Sequence, residues 1–325
     1  MAGKPDKLAV GIDVGGSFLK AGLVAEDGEI VERLRWEIDK ETLERFYSQL
    51  AELVEHLKGL AGGAEVVGAG IGVPGFINRR SGRIEQSPNL QIVNGAPIFD
   101  DIGALISLPV VVDNDANAAA WGEYWVGGGS GAELLILLTL GSGIGGGIVW
   151  GGRVWRGAVG YGGEVGHTLI TPGGPTCRCG LRGCIEAEFS DTAFARKARE
   201  AMEAGQKTSL SKLSGKRIYA KDVTDAAEAG DEVALEIVAG SSRLLGFTIA
   251  NLINAFNPDQ IVLGGGIIAA ADLLMPLIMM GVAERAIPGA LESCQIRPSV
   301  LGNDAGLLGA AGLAWQELEG TTSTQ

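Results

Sequence analysis

Two stretches of this chain share one arrangement, and together they restrict what it can fold into. Residues 8–36, LAVGIDVGGSFLKAGLVAEDGEIVERLRW, read as three antiparallel strands separated by a GG turn and a DG turn. Residues 133–155, ELLILLTLGSGIGGGIVWGGRVW, again run strand, glycine-rich turn, strand, two-residue turn, strand. The two glycine turns lie about half the ordered chain apart, the signature of an internal duplication. The side chains of the two stretches are not closely alike, so what repeats is the arrangement. A chain of 325 residues is also long for one core, and two α/β domains are expected.

The segments between and after these units supply helices and further strands. Residues 41–60 carry apolar side chains at helical spacing up to a glycine-rich stop. VVGAGIGVPGFI (66–77) is a buried strand ending in a Gly/Pro loop, and LPVVVDNDANAAAWGEYWVGG (108–128) passes from strand straight into helix. Helices are expected at roughly 191–206, 222–229 and 231–256, the last stopping at Asn257-Pro258. QIVLGGG (260–266) is a strand ending in glycines, ADLLMPLIMMGVAERA a helix, and NDAGLLGAAGLAWQEL a small-residue helix that closes the chain. Residues 1–7 and the tail GTTSTQ are expected to be loose.

Composition narrows the function classes. Apolar residues make up 46% and charged ones 20%, which is globular rather than disordered. A net charge of −13 argues against the basic face that nucleic-acid binding needs. The N-terminus has only a five-residue apolar run before Asp13, unlike a signal peptide. The longest apolar stretches are too short, or too broken by Gly and charge, to span a bilayer. Neither a nucleic-acid nor a membrane partner is expected. Four cysteines, three of them clustered at metal spacing, suit a reducing cytoplasm better than a disulfide framework. Cys294 is left over as an ordinary buried thiol.

Each glycine turn has a chemical and a plain reading. Asp13, Gly15, Gly16 and Ser17 lie at the first hairpin, with Lys20 just beyond. Successive exposed N–H groups there make an anion nest, and an acid beside them can hold Mg²⁺; alternatively the glycines only make a tight turn. Gly141-Ser142-Gly143-Ile144-Gly145 is the same device again, within a stretch that also satisfies G-x-G-x-x-G. It leads into a strand, where the dinucleotide fingerprint demands a helix, so a dehydrogenase assignment lacks its context. Gly264, Gly265 and Gly266 come after a strand and open a helix, which close strand–helix packing also requires. No P-loop pattern occurs.

Two further constellations carry chemistry. Asp115 lies where a buried strand stops and a helix starts: either an N-cap, or a base outside the carboxyl end of a strand. Asn114 beside it offers a donor and an acceptor suited to a hydroxyl. In GEVGHTLITPGGPTCRCGLRGCIE (163–186), His167, Cys177, Cys179 and Cys184 form an H-x9-C-x-C-x4-C array, the residue set of a closed Cys3His zinc site. With four positions filled, the metal itself is expected to be structural. A His bound through one ring nitrogen presents the other in a fixed tautomer. Glu164 and Glu186 bracket the array and are not needed for the metal.

Taken in order, DVGGS (13–17), GVPG (72–75), NDANAAAWGE (114–123), GSGIGGG (141–147), GEVGH (163–167), CRCGLRGCIE (177–186) and VLGGG (262–266) resemble the ROK family of bacterial sugar kinases and repressors. The resemblance spans nearly the whole chain; GEVGH with C-x-C-G-x-x-G-C-x-E is highly specific. It implies an α/β, two-domain, actin-like and hexokinase-like ATPase fold with a ribonuclease-H-like sheet in each half and a ligand cleft between domains. It also implies a final helix that packs back on the first domain. The smaller domain would comprise 1–112 and 303–325, the larger 113–302.

By position, Asp115 resembles the family's general base, taking a proton from the 6-hydroxyl of a hexose. Gly75 (through its backbone), Asn89, Asn114, Glu164, His167 and Glu186 match sugar-binding positions. Asp13, Gly15, Gly16 and Ser17 match the first phosphate loop, Gly141 to Gly145 the second, and Gly264 to Gly266 the adenosine motif. Ser17 and Ser142 stand where the family commonly has Thr, and each keeps the hydroxyl. Implied are ATP, Mg²⁺ and a structural Zn²⁺, a hexose substrate, a cytoplasmic setting and a homo-oligomer, most simply a dimer. Phosphorylation of glucose is the first expectation. N-acetylmannosamine, N-acetylglucosamine and fructose kinases share much of the pattern, and a sugar sensor without catalysis or a ROK-type regulator is the remote alternative. The family's repressors carry a DNA-binding region ahead of the fold, whereas the first hairpin here begins near Leu8.

Overall fold

In the computed structural model, residues 5–322 are described. The first glycine unit folds as β1 (Lys7–Val14), β2 (Phe18–Val24) and β3 (Ile30–Glu37), antiparallel in sequence order, with Asp13 opposite Lys20 and Leu19 opposite Trp36. β1 is apolar and buried almost throughout, as a central strand must be. β3 alternates between half-buried and exposed, as suits an edge. Thr42 caps α1 (Leu43–Leu60) by accepting the Arg45 N–H, and the helix buries Phe46, Leu50, Leu53, Val54 and Leu57 at helical spacing. β4 (Glu65–Val73) returns parallel beside β1. A short hairpin, β5 (Phe76–Asn78) and β6 (Arg83–Gln86), and then α2 (Ile98–Leu105) lead to β7 (Val110–Asn114), parallel to β4. α3 (Asp115–Trp125) begins at the very next residue. The sheet order is β3-β2-β1-β4-β7.

The second glycine unit gives β8 (Leu134–Leu140), β9 (Ile144–Trp150) and β10 (Arg153–Val154). After the cysteine-rich stretch come α4 (Asp191–Glu203), α5 (Ala220–Glu228) and α6 (Glu232–Phe256), the last closed by Asn257 in the left-handed conformation before Pro258. β11 (Gln260–Gly264), α7 (Ala271–Arg285), α8 (Pro288–Glu292), β12 (Gln295–Pro298) and α9 (Ala305–Thr322) complete the chain. The second sheet has the order β10-β9-β8-β11-β12, with β8, β11 and β12 parallel. Both sheets therefore read third, second, first, fourth, fifth strand. The duplication exists as topology, which tolerates divergent side chains.

Contacts divide the chain into two units: Met1–Ala132 with Gly147–Gly163 and Asn303–Gln325, and Glu133–Gly146 with Glu164–Gly302. The boundary falls inside β9. The division differs from the one expected at residue 112, because α3 packs with the first unit, against β4 and α9. A Cβ at Gly309 would overlap the Ala118 carbonyl, so the two helices touch backbone to backbone. α9 lies as closely on β1 and β4, where Cβ atoms at Gly11 and Gly70 would overlap the carbonyls of Leu307 and Ala310. The ends expected to be loose fall partly outside the described residues. Within them β1 already starts at Lys7 and α9 runs to Thr322.

One sequence expectation needs correcting. α6 and the run Gly266–Arg285 are both long and apolar enough to cross a membrane by length and composition. α6 has Ala234, Val238, Leu245, Ile249 and Ile253 buried, and it packs against α5 and α7 inside the second unit. Its apolarity is that of a core helix.

Candidate active site

In the first unit the site grows from the end of β7. Asn114, not Asp115, is the N-cap of α3: its Oδ1 accepts the N–H of Ala116 at 2.8 Å and of Asn117 at 3.1 Å. The same side chain donates through Nδ2 to the Gly75 carbonyl at 3.1 Å. Gly75 has φ +128°, where a side chain would also meet the backbone of Gln86 and Ser87, so only glycine lets the turn after β4 reach Asn114. Asn114 caps the helix and Asp115 follows as its first residue, half-buried, its Oδ1 accepting the adjacent Ala116 N–H at 2.9 Å. Burial, then the neighbouring Asp13 carboxylate, push its acid up from 3.8 to about 6. A carboxylate so placed is a stronger base than an ordinary aspartate.

Asp13 sits on β1 with Lys20 Nζ 3.4 Å from its Oδ2; burial raises its acid and Lys20 opposes the rise. Gly15 N–H bonds the Phe18 carbonyl at 3.0 Å to close the turn, leaving Gly16 and Ser17 exposed at the tip. Asn89 lies in an exposed bend after β6.

Three residues that sequence reasoning passed over support this corner. Asp113, whose side chain is 4% exposed, takes bonds from Arg156 Nε (2.6 Å), Asn117 Nδ2 (3.0 Å) and the Asn114 N–H (2.8 Å), with Arg79 3.8 Å away. The DND triplet was the available signal for Asp113. Arg156 and Arg79 carry none, being 43 and 34 positions from Asp113 in the chain.

In the second unit the ligand atoms of His167, Cys177, Cys179 and Cys184 all lie within 4.8 Å of one another. Cys179 and Cys184 Sγ are 3.8 Å apart, and Cys177 Sγ is 3.6 Å from His167 Nδ1. Tetrahedral zinc would set sulfurs about 3.8 Å apart and sulfur from nitrogen about 3.5 Å apart, so the set fits that ion. Nδ1 faces the thiols, while Nε2 points toward Glu164 Oε2 at 3.9 Å. Glu186 Oε2 accepts the Ile144 N–H from the second glycine turn at 3.0 Å, and its Oε1 lies 3.3 Å from Cys177 Sγ. Gly141 N–H bonds the Gly143 carbonyl at 3.0 Å, with Ser142 exposed at the tip and Gly145 half-buried beyond it. Gly265, at φ +89°, lies against the backbone of Leu140 at the end of β8, where a Cβ would clash. Gly264 is buried and Gly266 exposed. Gly266, Ile267, Tyr219, Thr224 and Asp191 line a cavity of about 540 Å³.

Two sheets of one strand order, each with a glycine hairpin beside its central strand, define the hexokinase-like class of ATPase fold. The chain belongs to the ROK family, whose sequence profile matches residues 9–317. It is 40% identical over 320 residues to a glucokinase of Halalkalibacterium halodurans, covering 96% of each chain. It superposes on a ROK hexokinase of Thermus thermophilus with a TM-score of 0.82 at 34% identity, over 96% of this chain and 99% of that one. A ROK glucokinase of Streptomyces griseus, solved with glucose and AMPPNP, gives 0.80 at 34%, over 95% and 99%.

Proposed function

We propose that this chain is a glucokinase, transferring the γ-phosphoryl group of ATP to the 6-hydroxyl of glucose. Beyond its kinship, one observation carries the chemistry. Asn114 caps α3 and sets Asp115 at the first helical position beside Asp13, where burial and that carboxylate raise its acid to about 6, so that its carboxylate can act as a base. Asp115 receives the proton of the sugar hydroxyl as that oxygen attacks phosphorus and the bond to the ADP leaving group breaks. Phosphoryl transfer asks the protein mainly for positioning and charge neutralisation. The turns at Asp13–Ser17 and Gly141–Gly145 supply backbone N–H groups for the phosphates, and Lys20 a positive charge. Gly264–Gly266 and the cavity beside them accommodate the adenosine. Gly75, Asn89, Asn114, Glu164, His167 and Glu186 are the sugar-binding set, with His167 offering Nε2 and Asn114 its second amide hydrogen.

Asp13 presents hard carboxylate oxygen, the donor Mg²⁺ prefers alongside phosphate, and Mg²⁺ bound there would supply neutralising charge. His167, Cys177, Cys179 and Cys184 would hold Zn²⁺, which locks the segment presenting Glu164 and Glu186. Thiols kept for a metal favour a reducing, cytoplasmic setting. The chain acts as a homodimer; Met280 and Ile287, 65% and 59% exposed around the end of α7, offer apolar surface for a second copy. An assay coupled to ADP release, run across glucose, mannose, fructose, N-acetylmannosamine and N-acetylglucosamine, should show the highest kcat/KM for glucose. Preference for an N-acetylhexosamine would reassign the substrate, and no turnover on any sugar would refute the kinase.

A further inference from the structure

Three backbone handles of the second glycine turn are held by the residues flanking the Cys/His array. The Ile144 N–H is bound by the Glu186 carboxylate at 3.0 Å. The Ile144 carbonyl lies so close to Gly166 that any Cβ there would overlap it. The Gly141 carbonyl accepts the N–H of Asp191, the first residue of α4, at 2.9 Å. Two residues beyond Glu186, the buried Glu188 is held by Lys197 Nζ at 3.0 Å, and Lys197 also donates to Ser241 Oγ at 2.8 Å. Gly143 completes the fit, because a Cβ at that position would run into Glu186 Oε2.

We infer that Glu186 is a positioning residue for the nucleotide loop: its bond to the Ile144 N–H fixes the conformation in which residues 141–145 receive phosphate. The inference rests on the assignment of that loop to ATP. The glutamate aligned with sugar binding then serves the other substrate as well, and it ties the segment carrying the metal array to the phosphate-binding turn. Ile144 is 3% exposed, so its N–H, once deprived of the carboxylate, pays the desolvation penalty of an unpaired buried donor. The loop is expected to leave its bound conformation rather than bear that penalty. A methyl group at 143 would push the Glu186 carboxylate aside and so disturb its bond to the Ile144 N–H.

Equilibrium binding of AMPPNP without sugar, paired with hydrogen exchange of the amides of residues 140–147, tests this. Glu186→Ala should weaken AMPPNP about 10-fold, the loss expected of one charge-assisted bond, and should speed exchange at Ile144 by a similar factor. Glu186→Gln keeps an acceptor and should stay within about threefold in both readouts. Gly143→Ala should reproduce Glu186→Ala, and the double variant should be no worse than either single one, since both break the same bond. If Glu186→Ala fails to fold, Gly143→Ala carries the test. Unchanged AMPPNP affinity and unchanged exchange in these variants would overturn the inference while leaving the kinase assignment intact. A wild-type protein that binds no nucleotide would overturn both.

Discussion

The side-chain amide of Asn114 donates to the carbonyl of Gly75 at 3.1 Å, bridging the end of β7 to the turn after β4. The same residue caps α3. Asn114→Ala should lose about 1–2 kcal/mol in urea denaturation, the usual cost of a lost cap plus a hydrogen bond. Asn114→Ser, which keeps a capping oxygen but cannot reach Gly75, should recover most of that stability. Both should lower kcat/KM, because the Gly75 turn is no longer held.

As the proposed base, Asp115 should set the pH dependence. A base with an acid constant raised to about 6 must be ionised to act, so kcat/KM should fall about tenfold per unit below that pH. The folded chain keeps this proton between 3.8 and about 6, where the unfolded chain has lost it, so stability from this group declines as pH rises through that window. Asp115→Asn should therefore lose orders of magnitude in kcat. It should nonetheless unfold later than wild type near about pH 7.5, by roughly 1–2 kcal/mol, with the difference gone at low pH. Near-normal turnover would remove Asp115 from the role of base.

Arg156 is the strongest partner of the buried Asp113, at 2.6 Å, and is itself only 25% exposed. Arg156→Met should cost on the order of 2 kcal/mol, because Asp113 Oδ2 loses its 2.6 Å partner while Asn117 and the Asn114 N–H bind the other oxygen, Oδ1. Guanidinium denaturation would show the loss. Asp113→Asn with Arg156→Met should be less destabilised than the sum of the single changes.

Elemental analysis should find about one zinc per chain, as a closed four-ligand site implies. Cys184→Ser should lose the metal, and limited proteolysis should then cut within residues 168–183, which lie between the first and last residues of the array. A metal-free, protease-resistant and fully active variant would sever the link between the array and the sugar-binding set.

Glycines serve two purposes here that substitution can separate. Gly70→Ala should destabilise by about 2–3 kcal/mol, because its Cβ would displace the backbone of α9 at Ala310. Gly16→Ala meets nothing within 4 Å and should leave Tm unchanged. A methyl group at that exposed tip should weaken nucleotide binding if the first turn holds phosphate.

Much of this was legible from residues close together in the chain. Apolar runs broken at glycine turns gave the strands of both units, and the spacing from His167 to Cys184 marked four residues whose side chains cluster within 4.8 Å. The junction at Asn114–Asp115 was visible, but which residue caps the helix was not. The cap depends on side-chain torsion and on a partner at Gly75, 39 positions away. Arg156 lay beyond sequence reasoning for the same reason, and Glu186 was matched to sugar with no sign of its bond to Ile144.

What the sequence alone determined is the local chemistry: strand or helix by periodicity, turns by glycine, a Cys/His array by the spacing of its cysteines. These depend on interactions within a few residues, so the order of residues is enough to specify them. Only the tertiary structure decided which groups share a partner. It placed α3 with α9 across glycine contacts, gave the cap of α3 to Asn114 with Asp115 beside Asp13, and set Glu186 against the Ile144 N–H. Such pairings depend on how distant backbones approach. Hydrogen bonds reach about 3 Å, a distance that separation along the chain does not encode.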